Sequence, residues 1–241
     1  MASRPSRFWW VTLAAGAGIA ATLALGAWQM DRAGQKLALQ AALEQRQSMP
    51  PLRQEALLDA KGLPNLLHRP VFVRGTWMAE RTVYLDNRQM QGKPGFYVVT
   101  PLRLEGSSRA VLVQRGWAPR NFQDRQKLPA VTTPSGVVEV AGRMAPPPAK
   151  LYEFDGAGSG PIRQNLDLAQ FRAETRLDLL ELTVQQAGAP SEGLLRDWPQ
   201  AASGVEKHYG YAFQWWALSG LIAILYAWFQ FIAPRRRSKH A

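Results

Sequence analysis

Residues 8–30 carry no charged side chain, an uninterrupted run between Arg7 and Asp31, and residues 208–234 repeat the pattern between Lys207 and Arg235. Each run exceeds the roughly 20 residues needed to cross about 30 Å of hydrocarbon as a helix. Aromatic side chains stand near their edges: Phe8, Trp9, Trp10 and Trp28 in the first, Tyr209, Tyr211, Trp215, Trp216 and Trp228 in the second. Trp and Tyr favour the headgroup zone, where one end of the ring is dry and the other wet. The first run is also longer than the apolar core of a signal peptide, which is about 7–15 residues. The pattern predicts two membrane spans, one at each end of the chain.

The flanks predict the orientation. Arg4 and Arg7 precede the first span; Arg235, Arg236, Arg237 and Lys239 follow the second. Basic flanks stay on the cytoplasmic side. The expected plan is a cytoplasmic tail (1–7), a first span (8–30), a periplasmic domain (31–207), a second span (208–234) and a basic cytoplasmic tail (235–241), in a bacterial-type inner membrane. Of 241 residues 29 are Lys or Arg and 18 are Asp or Glu, a formal charge of +11. The two tails hold six of those charges, which topology and contact with anionic lipid account for. No basic stripe of the kind nucleic acid requires is left, so nucleic acid is not an expected partner.

The segment between the spans reads as a β-rich domain. Residues 33–47 have apolar positions near helical spacing and predict a helix continuing out of the membrane, with Leu37, Ala41 and Leu43 as packing positions, ended by Met49-Pro50-Pro51. A short helix is predicted over 54–60. Runs rich in β-branched and aromatic residues follow at 70–77, 82–86, 95–102, 109–117 and 137–144, separated by Gly, Pro, Asn and Ser clusters. A late strand is predicted at 179–184, a short helix at 166–175, and loops at 122–135 and 145–160. The expected class is α+β: two transmembrane helices flanking a mainly antiparallel sheet or partly closed barrel.

The usual catalytic patterns are missing. The sequence has no cysteine, which excludes a disulfide scaffold, a thiolate metal site and a cysteine nucleophile. It contains no HExxH, GxSxG or GK[ST] motif, and the glycines at 156–160 do not make a dinucleotide fingerprint but read as a linker. Three histidines remain. His240 lies in the basic tail, and His68 stands at the start of a strand, where a surface or hydrogen-bonded role is the default. His208 stands where the second span meets the outer face. Tyr211 or Ala212, and Trp215, follow it at i+3/i+4 and i+7 and share its helical face. A histidine beside aromatics at a membrane edge can ligate haem iron through a neutral imidazole, or serve as one more member of the aromatic belt.

Several short blocks resemble one family. Gly26-Ala27-Trp28-Gln29 with Arg32 and Lys36 resembles the G-x-W-Q-x-x-R signature of the surfeit locus protein one (Shy-type) family of cytochrome c oxidase assembly factors. Arg69-Pro70-Val71, Val73-Arg74-Gly75, and 95–102 ending Thr100-Pro101-Leu102 are similar to its next blocks. Val111-Leu112-Val113-Gln114-Arg115-Gly116-Trp117 with Pro119-Arg120 is similar to its L-V-N-R-G-W-V-P stretch. Gln164-Asn165-Leu166-Asp167 and Gly193 through Arg196-Asp197-Trp198-Pro199 are similar to its later part. Gln35, Gln114, Arg163 and Tyr209 depart from the family pattern.

The resemblance implies a non-enzymatic maturation factor that binds haem a and assists its insertion into the oxidase large subunit, with haem a synthase as a further partner. It makes His208 the candidate iron ligand. Trp28, Tyr211 and Trp215 are then candidate walls of a porphyrin slot, Trp28 also anchoring its helix. A cofactor-free scaffold for oxidase subunits and a membrane-anchored periplasmic enzyme are the alternative classes.

Overall fold

The computed structural model describes residues 4–58, 63–124, 127–152, 160–199 and 204–234. The chain divides into two units, a helix pair (Met1–Ala42 and Ala201–Ala241) and a β domain (Leu43–Gln200).

The helix pair is built from α1 (Arg4–Gln47) and α4 (Val205–Ala227), the latter continued by a π-helical turn at Trp228–Ile232. Both are long and apolar enough to cross a membrane. Their outward faces carry Trp9 at 68% exposure and Phe213 at 72%. Continuous apolar surface of this kind belongs in lipid rather than water. Small residues line the seam: Gly18, Thr22, Gly26 and Ala33 on α1, Ala212 and Ser219 on α4, spaced four or seven apart and buried or half-buried. Small side chains let helix backbones approach where no hydrophobic effect drives them together. The helices run antiparallel, since Gly18 faces Ile222 and Thr12 Oγ1 lies 2.8 Å from Tyr226 Oη. Leu37 and Ala41 are exposed and Leu43 half-buried, so the packing role that helical spacing predicts is not met at Leu37 and Ala41.

In the β domain, α2 (Gln54–Leu58) precedes β1 (Pro70–Trp77), β2 (Val83–Met90), β3 (Lys93–Leu104), β4 (Ala110–Pro119), β5 (Val137–Ala145), β6 (Ile162–Arg163), α3 (Leu168–Thr175) and β7 (Leu179–Gln186). The sheet order is β1-β5-β7-β4-β3-β2-β6, and β1 pairs again with β3. Five strands therefore close on themselves while β2 and β6 hang from the outside of β3: a partly closed barrel. Closure occurs at Gly75, which pairs with Leu104 of β3 and Val138 of β5. A Cβ at Gly75 would stand 2.1 Å from the Arg103 carbonyl oxygen, so only glycine permits the approach.

The pairings are mainly antiparallel, as the strand spacing predicts, but β4–β7 and β2–β6 are parallel. The crossover to β7 carries α3, and a connection of that length permits the parallel alignment. The hairpin from β2 to β3 is longer than the sequence suggests. Gln91 and Gly92, both at positive φ, turn it in two residues, a geometry matched to strand twist. Val71, Val73, Trp77, Leu102, Val113 and Met144 belong to the principal core cluster. A second cluster sets Phe171 of α3 and Leu166 against Val83, Leu85, Val99 and Leu112. Asp167 starts α3 by accepting from the Ala169 and Gln170 amides. The predicted helix over 54–60 is present to Leu58. The last residues of that prediction, the glycine linker up to residue 159, His240 and the basic tail lie outside the described residues.

Candidate functional site

Of the residues that the sequence singles out at the span ends next to the β domain in sequence, His208 and the G-x-W-Q signature meet within the helix pair. The Trp216 indole lies where a Cβ on Gly26 would be, 2.2 Å from its Nε1, so the glycine of the G-x-W-Q signature forms a notch for α4. One turn on, His208 Nδ1 lies 2.7 Å from Gln29 Oε1. An amide oxygen accepts only, so Nδ1–H is the donor. An imidazole that carries one proton and makes this bond carries it on Nδ1, which leaves Nε2 for another partner. Further out, Lys36 Nζ approaches the start of α4 at Gly204.

Trp28, next to Gln29, is half-exposed, and the Arg32 guanidinium sits 5.5 Å from its ring centroid. Arg32 also donates to Gln35 Oε1 at 3.0 Å, and Gln35 donates to Asp31 Oδ2 at 2.7 Å. Gln35, a departure from the family pattern, thus belongs to the polar chain that holds Arg32. On α4, Ala212 is the buried residue one turn from His208, Trp215 is half-buried and Tyr211 is half-exposed. Of the four residues proposed from sequence, His208 is tied to α1 by its side chain, and Trp28 stands beside the residue that ties it. Tyr211 lies outside the seam. Gln29 and Trp216 are the residues that sequence reasoning missed. Gln29 was visible in the signature, but nothing in the sequence announces a bond across 179 positions.

Among the described residues no three His, Asp or Glu side chains gather as a metal cluster. The donor set suits an iron already held in a porphyrin, reached by one imidazole nitrogen beside exposed aromatic surface, better than a bare ion.

The β domain has its own polar cavity of about 390 Å³, lined by His68, Arg143, Gln185, Arg196 and Trp198 among others. His68 has a left-handed backbone, φ +68°. Burial, then the nearby Arg143 and Arg46 charges, hold its imidazole below the ordinary histidine pKa of 6.5. Folding thus disfavours its protonation, and the stability this contributes is present above pH 6.5 and lost as pH falls toward the lowered value. His68→Asn keeps a residue that tolerates the left-handed conformation but does not titrate. It should flatten the dependence of the urea midpoint on pH just below 6.5; an unchanged slope would assign that dependence elsewhere.

Fold and seam define a class: a protein with two membrane-length helices that meet at a histidine, and a partly closed barrel formed by the sequence that joins them. The profile of the SURF1 family matches residues 17–220, and the chain belongs to that family. It is 36% identical over 121 residues to the Homo sapiens Surfeit locus protein 1 (43% of this chain, 40% of that protein). The figures for the Arabidopsis thaliana Surfeit locus protein 1 are 33% over 119 residues, 45% of this chain and 33% of that protein. For the Saccharomyces cerevisiae cytochrome oxidase assembly protein SHY1 they are 26% over 93 residues, 39% and 24%. The aligned stretches thus span two fifths or less of these relatives' own lengths.

Proposed function

We propose that this protein is a cytochrome oxidase assembly factor that holds haem a at the outer end of its helix pair and assists its insertion into the oxidase large subunit. The assembly role follows from family membership and the name of the yeast relative. The observation that carries the haem reading is the bond between Gln29 and His208, which leaves Nε2 as the unused ring nitrogen. Haem supplies an iron that accepts one more nitrogen donor and an apolar ring. The residues supply that nitrogen at His208, exposed aromatic surface at Trp28 and Tyr211, and cations at Arg32 and Lys36 suited to the propionates. Farnesylated haem is apolar, so holding it at a lipid boundary keeps it out of bulk water.

Full-length protein purified in detergent from cells that make haem a should carry a Soret band and co-purify with the oxidase large subunit. Co-purification without any haem absorbance would favour the scaffold reading instead.

We place both termini in the cytoplasm and the β domain in the periplasm, from the basic flanks outside each span. A reporter active only in the periplasm should be silent when fused after Ala241 and active when inserted in the exposed turn at Glu105-Gly106; the reverse pattern would invert the topology.

A further inference from the structure

We infer that Gln29 is a positioning residue for His208: its side-chain carbonyl selects the Nδ1–H tautomer and presents Nε2 as the ligating atom. The inference rests on the reading of His208 as a haem ligand and goes beyond it by assigning a residue that acts through the ligand. The contact is 2.7 Å and joins two helices at positions 179 residues apart. Packing brackets it on both sides. Inward, the Trp216 indole seated on Gly26 fixes the approach of the helices; outward, Ala33 is buried and Lys36 Nζ lies near Gly204, the residue that precedes α4. The acceptor therefore stands at a set height and angle, and the imidazole cannot turn Nε2 toward α1 without losing its bond.

Metal-bound histidines commonly donate their second ring N–H to an oxygen, which fixes tautomer and orientation and raises ligand basicity. A carboxylate in that role pulls the proton strongly and tightens the metal bond. An amide carbonyl orients the ring with little added basicity, which suits a protein that must release its cargo. Trp28 and Gln29 are adjacent on α1, so the residue that aims the imidazole is joined directly to the exposed aromatic surface beside it.

The test uses full-length protein in detergent, labelled with ¹⁵N-histidine; three histidines give a resolvable spectrum. Without haem, His208 should show the pattern of a protonated Nδ1 and a bare Nε2, and Gln29→Leu should abolish that preference. In titrations with ferric haemin, Gln29→Leu should raise the Kd about 10–100-fold, the usual cost of losing such a partner. Gln29→Glu should restore tight binding, with a lower reduction potential than wild type because its carboxylate makes the imidazole more basic. An Nε2–H tautomer in the wild type, an unchanged haemin Kd in Gln29→Leu, or equal losses in the Leu and Glu variants would each overturn the assignment. His208→Ala separates the two readings. If it loses haemin while Gln29→Leu does not, positioning alone fails; if it binds haemin as wild type does, the ligand reading fails and the positioning role with it.

Discussion

Glu192→Ala is expected to destabilise the β domain by about 3–5 kcal/mol, the cost of leaving a buried charge without its partner. Arg115 is wholly buried. It donates to Thr133 Oγ1 and the Thr132 carbonyl oxygen at 2.7 Å each and to Glu192 Oε2 at 2.9 Å, and its guanidinium lies 4.6 Å from the Trp77 ring centroid. Its Nε has no partner, so the Nη acceptors carry all the compensation. Glu192 is the carboxylate in this set and also accepts from Arg196 at 3.3 Å. Its removal takes the shared carboxylate from two guanidinium groups at once and leaves each with neutral acceptors alone. The loss is a large share of the about 5–15 kcal/mol that typically separates folded from unfolded. Glu192→Gln keeps an acceptor and should lose less. Glu192 stands at φ +60° in the wild type, so backbone strain changes little between variants. The control is Glu105→Ala: its ion pair with Arg74 is exposed on both sides and is worth at most about 1 kcal/mol. Urea midpoints of the three variants would settle the matter, and a Glu192→Ala loss no larger than that of Glu105→Ala would refute the buried-charge account.

His208→Ala is expected to lower the haem content of purified protein at least about tenfold, since removing a ligand should cost no less than removing its supporting partner. The membrane hairpin should survive. Trp216 in the Gly26 notch, Gly18 against Ile222, and Thr12 with Tyr226 remain as seam contacts. Normal insertion with lost Soret absorbance would therefore isolate the imidazole. His68→Asn is the matched control, because His68 belongs to the β domain and its cavity. Unaltered haem content and Soret position in His208→Ala would remove the ligand assignment and put the scaffold reading first.

The architecture was legible because its signals are local. Charge-free runs and basic flanks mark the helices, and each of the six longer strands of the sheet lies within a few residues of its predicted run. What escaped was short or relational. β6 is two residues long, too brief for any period to show, and is held by parallel pairing to Tyr84 and Leu85. The Gln91-Gly92 turn lengthens a hairpin that the strand-like residues alone do not reveal, since Arg88 and Gln89 are strand residues only by pairing.

The candidate site divides the same way. By itself the sequence determined which residue types stand where the spans end: a histidine on one, the G-x-W-Q signature on the other, and no cysteine anywhere. It also determined that a block such as Gln114-Arg115-Gly116-Trp117 exists, but not what it does. Tertiary structure decided that this block is architectural. Arg115 is a wholly buried charge, Gly116 makes room for the Leu195 carbonyl, and Trp117 fills the core and donates to the Arg88 carbonyl at 2.9 Å. Arg196, from the other block, closes the arrangement by donating to the Arg115 carbonyl at 2.9 Å. Tertiary structure likewise decided that Gln29 holds His208 and that Ala212, not Tyr211, shares the seam with it. Periodicity records which way a side chain faces on its own helix, because the backbone repeats every 3.6 residues. It holds no record of what stands opposite, because that depends on how two distant segments pack.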